Sequence, residues 1–244
     1  MIQAVIFDLD GTLVNTESLK CRAYFEAIHR AAQGAARWED VEAAYQAVVG
    51  RSRAEVAAFI VDRLGLEAIL GERMRIEGLD HPWEVLVTLF ADCYERLLAD
   101  PETLRDSLIL PVAAVAQQAA RQGRRTALAS MTSAGQAAQV LALSGLDRLH
   151  TFDVVLTREA VSRPKPDPEI YLLAASRLGI APKACLVIED TTVGVQAGLA
   201  AGMRVVGLAT PLTARSLHTF PALPPEWIVD DLDELAGVVE KLLD

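Results

Sequence analysis

The stretch Met1–Thr16, MIQAVIFDLDGTLVNT, decides how the rest of the chain reads. Its apolar run Ala4–Phe7 leads straight into two carboxylates, Asp8 and Asp10, and then into Gly11 and Thr12. A short run rich in branched side chains, closed by polar residues and a glycine, predicts a strand buried in a parallel sheet with its acids at the C-terminal edge. Open α/β sheets bind their ligands at that edge. Residues two apart on a strand face the same way, but Asp10 falls where the strand gives way to a loop. Both acids can therefore approach one reacting group from different surroundings. Crowded carboxylates in a low-dielectric setting repel each other unless a cation or a shared proton intervenes. Mg²⁺ suits that role, because it takes oxygen ligands and sits between one or two carboxylates and a phosphate. The competing reading is a solvated loop whose acids only cap a turn.

Working outward, the period becomes helical after Thr16, with Leu19, Tyr24, Phe25, Ile28 and Ala32 recurring to about Gly34. Further helices are expected over Trp38 to Val49, from Arg53 to Leu64, and from Pro82 through Leu97, while Glu67 to Gly78 resists division. With no strand signal between Asn15 and Leu98, residues 16–98 read as an all-helical insert hung on the loop after the first strand. Residues 1–15 and 99–244 read as one core, in which strands alternate with helices. The later strands are expected at Arg125–Ala129, Phe152–Leu156, Ala184–Ile188 and Arg204–Leu208, with a possible edge strand at Trp227–Val229. A closing helix is expected from Leu232 to Leu243. The fold class is α/β: a doubly wound, mainly parallel, Rossmann-like sheet with an inserted α-helical domain.

The composition narrows the function. At 52% hydrophobic and 23% charged, the 244-residue chain has enough apolar material for a sizeable core. Its net charge of −10 argues against a broad nucleic-acid footprint or attraction to anionic lipid. Cys21, Cys93 and Cys185 are odd in number and follow no metal-binding spacing, so reduced thiols and a cytoplasmic location are expected. No signal-like segment and no membrane span is apparent. His29, His81, His150 and His218 read as structural. A small anionic partner such as a phosphorylated metabolite is compatible with this charge, since local bases and a metal can offset the overall field, and a monomer is expected.

Four strand ends carry reactive or phosphate-binding groups: Asp8 with Asp10, Ser130 with Thr132, Lys165, and Glu189 with Asp190. The Ser130 hydroxyl and the backbone N–H groups of Met131 and Thr132 suit a phosphate near a helix start, although a turn or N-cap serine would look the same. Lys165 lies between Pro164 and Pro166, on a short loop that would hold its stem. Glu189 and Asp190 close a buried strand in LVIEDTTVG, and helix capping is the alternative for Asp190. Gly194, Gly198 and Gly202 are expected to let the next helix approach the sheet closely. There is no G-x-G-x-x-G after the first strand and no Walker lysine motif.

FDLDGT (7–12), ALAS (127–130), RPKPDP (163–168) and VIEDT (187–191) together resemble the haloacid dehalogenase-like hydrolases, in particular those with a helical cap after the first strand. These include phosphoglycolate phosphatases and β-phosphoglucomutases. The resemblance implies that Asp8 is a nucleophile, Asp10 a general acid/base, Lys165 a charge neutraliser, and Thr12, Ser130, Met131 and Thr132 phosphate binders. It places Mg²⁺ on Asp8, Asp10 through its carbonyl, and Asp190, with Glu189 at or just behind the metal. Glu17, Lys20 and Arg53 become the cap residues expected to meet substrate. The implied activity is a Mg²⁺-dependent phosphatase acting on a small phosphomonoester, such as a sugar phosphate, through an aspartyl-phosphate. A β-phosphoglucomutase-like reaction is the alternative. Such mutases commonly have His at the position of Lys20 and Lys at that of Val49, so part of their sugar clamp is changed here. A non-catalytic interaction protein is the alternative from another class.

Overall fold

The structure, a computed structural model, describes residues 1–146 and 151–243. His150 lies outside them. The chain divides into two compact units, Met1–Thr16 with Leu104–Asp244, and Glu17–Thr103.

The elements in chain order are β1 (Ala4–Phe7), α1 (Thr16–Ala31), α2 (Trp38–Gln46), α3 (Arg53–Leu64), α4 (Glu67–Glu77), α5 (Pro82–Leu98), α6 (Pro101–Asp106) and α7 (Leu110–Arg121). They continue with β2 (Arg125–Ala129), α8 (Ala134–Ser144), β3 (Val154–Leu156), α9 (Glu169–Leu178), β4 (Cys185–Glu189) and α10 (Thr192–Ala200). The last are β5 (Arg204–Leu208), α11 (Ala214–His218), β6 (Ile228–Val229) and α12 (Leu235–Leu243).

The first unit is a six-stranded sheet in the order β3-β2-β1-β4-β5-β6, with every pair parallel. β1 lies between β2 and β4, and its residues are fully buried because helices cover both faces of such a sheet. In register, Phe7 faces Leu128 on one side and Ile188 on the other. The strand order reverses between β1 and β4, so the crevice at their carboxyl ends is a ligand position by topology. Ile170, Tyr171, Ala174 and Leu178 of α9 pack with Val187, Val195 and Val205 in the core on one side of the sheet.

Several boundaries differ from the periodicity. β3 begins at Val154 rather than Phe152, because the Asp153 carboxylate, not a backbone carbonyl, accepts the Thr126 N–H at 2.8 Å. The ambiguous Glu67–Gly78 segment is the single helix α4. α2 stops at Gln46, short of Val49, and α12 starts at Leu235 after a 3₁₀ turn over Leu232–Glu234. α10 ends at Ala200, so Gly202, at φ +74°, belongs to the turn after the helix. Gly194 and Gly198 do lie on the helix, and a Cβ at Gly198 would meet Val205 at 2.8 Å.

The second unit is helical, as the insert reading requires. Tyr24 stacks on Phe90 with ring centroids 4.2 Å apart, inside a core that includes Ile60, Leu70, Leu86 and Tyr94. α3 opens with a reciprocal cap: Ser52 Oγ accepts the Glu55 N–H, and Glu55 Oε2 accepts the Ser52 N–H at 3.0 Å. The three cysteines are free and buried. Among the described residues, no helix is long and apolar enough to cross a membrane.

Candidate active site

The sheet order brings four loops to one edge. β1 delivers Asp8 and Asp10, β2 delivers Ser130, β4 ends in Glu189, and the connection between β3 and α9 carries Lys165. Asp8, Asp10, Glu189 and Asp190 are buried, at 6%, 9%, 1% and 0% exposure. Lys165 meets them from the β3–α9 connection, and its peptide bond to Pro166 is cis. Its ammonium donates to Asp8 Oδ1 at 2.7 Å, to Glu189 Oε1 at 2.8 Å and to the Ala129 carbonyl at 3.1 Å.

Burial pushes the Asp8 carboxyl up to about 8; Lys165 pulls against that rise, while Glu189 and Asp10 add to it. For Lys165, burial opposes the charge, but Asp8 and Glu189 outweigh it and hold the ammonium well above its ordinary range. The cluster is thus an excess of carboxylate around a lysine that stays charged.

Asp10 points elsewhere. Its Oδ1 accepts the Thr16 hydroxyl, and its Oδ2 accepts Ser130 Oγ at 3.2 Å together with the Thr132 hydroxyl. Ser130 Oγ also accepts the Thr132 N–H at 3.0 Å, which closes the turn before α8. The Thr12 hydroxyl faces Asp190 Oδ1 at 3.3 Å. Met131 is half-buried against the sheet core.

Glu189 is engaged on both oxygens. Oε1 accepts Lys165 and the Tyr171 hydroxyl, the latter at 3.2 Å, while Oε2 accepts the Thr191 N–H at 2.9 Å and its hydroxyl at 3.0 Å. Its carboxylate therefore braces the lysine and the start of α10.

Two glycines clear the space. A Cβ on Gly11, where φ is +83°, would lie 2.1 Å from Asp190 Oδ2, and one on Gly194 would lie 1.6 Å from Glu189 Oε1. Gly194→Ala is expected to displace the Glu189 carboxylate, lowering turnover and costing about 1–3 kcal/mol of stability, as overpacking does. Urea denaturation of the purified variant measures it.

Glu17, Lys20 and Arg53 all belong to the helical unit. Buried Glu17 accepts Lys20 Nζ at 2.6 Å on one oxygen and the Tyr45 hydroxyl on the other. Arg53 lies over the Phe90 ring at 5.0 Å, and its carbonyl accepts the Tyr24 hydroxyl at 3.3 Å. Sequence reasoning missed Tyr171, Thr191 and Tyr45. A buried tyrosine on an apolar helix face looks like core, and the one signal is that its hydroxyl needs a partner.

Among the described residues, no three His, Cys, Asp or Glu side chains form a ready-made metal cage. Mg²⁺ does not need one, since it keeps several waters and takes one or two carboxylates plus substrate phosphate. The donor set fits it: Asp8 and Asp190 offer hard, buried carboxyl oxygens.

Fold and site together define a doubly wound α/β protein with an acid–lysine centre at the carboxyl ends of β1 and β4 and a helical insertion after β1. The chain belongs to the haloacid dehalogenase-like hydrolases, whose family profile matches residues 2–202. It is 31% identical to a phosphorylated carbohydrates phosphatase of Thermotoga maritima over 214 residues, which is 86% of this chain and 87% of that one. A solved hydrolase of the family from Deinococcus radiodurans, with bound phosphate and sodium, is 25% identical at a TM-score of 0.68 and covers 99% of this chain and 97% of its own. A β-phosphoglucomutase from Clostridium difficile matches over 100% of both chains at a TM-score of 0.68, but at 20% identity that likeness is one of fold.

Proposed function

We propose that the protein is a Mg²⁺-dependent phosphatase of a small phosphomonoester, a sugar phosphate or related metabolite, working through an aspartyl-phosphate. The observation that carries this reading is the contact of Asp8 with a fully engaged Lys165 at the topological switch of the sheet. The Thermotoga relative supports the substrate class.

In this reading an Asp8 carboxylate oxygen attacks phosphorus. The new P–O bond forms as the bond to the leaving alcohol breaks, and Lys165 offsets charge on the phosphoryl oxygens. Asp10 gives its proton to the departing oxygen, then takes one from the water that hydrolyses the acyl phosphate. Ser130 and the Thr132 backbone hold non-transferring oxygens. For Asp10 to reach the leaving group, its carboxyl must let go of Thr16 and Thr132. Asp8, Asp190 and the Asp10 carbonyl would hold Mg²⁺, which when bound supplies charge neutralisation and orientation of the phosphate. The helical insert, with Glu17, Lys20 and Arg53, serves as the cap that selects the alcohol portion and excludes water.

A panel of phosphorylated metabolites with Mg²⁺ or EDTA, followed for both inorganic phosphate and isomerised sugar phosphate, tests the proposal. Phosphate release that EDTA abolishes is the expected result. Isomer formation without matching phosphate would overturn it in favour of the mutase, and neither product across the panel would favour an interaction protein.

A further inference from the structure

We propose that Tyr171 is a positioning residue that seats Lys165 for phosphoryl transfer; this rests on the reading of Lys165 given above. The lysine ammonium has three protons, and all three are committed, to Asp8 Oδ1, Glu189 Oε1 and the Ala129 carbonyl. The ammonium also lies over the Tyr171 ring, with Nζ 4.7 Å from the centroid. A ring face attracts the cation without using an N–H. The ammonium can therefore turn a proton from Asp8 towards a phosphoryl oxygen while the ring still holds it in place.

The phenol acts on the same pair. Tyr171 donates to Glu189 Oε1, the oxygen that Lys165 also uses, while Thr191 occupies Oε2. Glu189 cannot follow the lysine out of position, because three other donors, the Tyr171 hydroxyl and the Thr191 N–H and hydroxyl, hold its two oxygens and its carboxylate fills the space left by the absent Cβ of Gly194. Tyr171 is fully buried, six residues beyond Lys165, where α9 begins. The short KPDPEIY segment thus carries both the lysine and its seat.

Filling the core is the simpler account of a buried tyrosine, and the two accounts predict different behaviour. Tyr171→Phe keeps the ring and removes the phenol; Tyr171→Leu removes both. With p-nitrophenyl phosphate at saturating Mg²⁺, kcat is expected to fall about 3–5-fold in the Phe variant, the effect of one ordinary net hydrogen bond acting through Glu189, with KM unchanged. In the Leu variant it should fall by roughly tenfold or more, again with KM unchanged. Loss of thermal stability with wild-type kcat in both variants would overturn the proposal and leave only the packing role.

A readout independent of turnover separates this inference from the phosphatase reading. Nitrogen-15 NMR of the substrate-free protein should give Lys165 ammonium protons shifted upfield by the ring, retained in Tyr171→Phe and lost in Tyr171→Leu. An unshifted signal in the wild-type protein sinks the seat whatever the activity. A shifted signal in a protein whose Asp8→Asn variant still turns over would keep the seat and sink the phosphatase mechanism.

Discussion

Asp8→Asn is expected to reduce phosphate release by at least about 10⁴-fold while the protein stays folded, since an amide cannot replace the attacking carboxylate. Measurement by phosphate assay must exclude deamidation back to Asp, by mass spectrometry. The same change has a second expected effect, opposite in sign, on stability. In the metal-free fold the Asp8 carboxyl is raised from 3.8 to about 8, so its proton favours the folded state. That contribution is complete below pH 3.8 and drains away as pH rises through 8, where the ionised group is opposed by Glu189 and Asp10. The Asn variant carries no such charge. In EDTA it should melt above the wild type at about pH 8–9, and the gap should close as pH falls towards the ordinary carboxyl range. Mg²⁺ at ten times its Kd should add about 1.4 kcal/mol to the wild type and little to the variant. A wild type that gains nothing from Mg²⁺ would count against the metal assignment, because the excess of buried carboxylate is its main physical support.

Lys165→Met should be the most damaging single change to stability, and it should lower activity as well. It keeps the length of the stem and removes the ammonium from between Asp8 and Glu189, to which it stands at 2.7 and 2.8 Å with its side chain only 6% exposed. Leaving one side of a buried ion pair uncompensated costs about 3–5 kcal/mol. Loss of a placed electrostatic group removes a further 10²–10³-fold from kcat, roughly 3–4 kcal/mol. Thermal denaturation and steady-state kinetics measure the two separately. Lowering the pH lets Asp8 take up a proton, so the stability deficit should shrink in acid even though turnover does not return. A variant as stable as the wild type at pH 8 would mean that the lysine does not carry the neutralisation assigned to it.

The parts of this protein that were legible beforehand are those set by near neighbours in the chain. Branched apolar residues running into a pair of acids mark β1 and its polar end, and the change to a 3.6-residue period after Thr16 marks the insert. The clusters at Ser130, Lys165 and Glu189–Asp190 each sit where a strand or its loop ends, and that regularity is visible without coordinates. Edges of elements were less legible: β3 loses Phe152 and Asp153 to a side-chain hydrogen bond, and Gly202 leaves the helix because its left-handed backbone belongs to a turn.

Which clusters become neighbours was decided by tertiary structure alone. Thr12 reaches Asp190 across 178 positions because β4 lies beside β1 in the sheet order, and Lys165 reaches Asp8 across 157 from the connection that follows β3. The strand spacing says that Glu189 is at the edge; it does not say that both its oxygens are committed to Lys165, Tyr171 and Thr191. Nor does it say that Asp10 is held by three hydroxyls from two different segments, or that Gly194 is small to make room for a carboxylate. Local periodicity reports the face a residue is on, since that depends on backbone geometry a few residues long. Side-chain partners depend on how distant segments pack, and on which buried charge needs an answering group once water has been excluded.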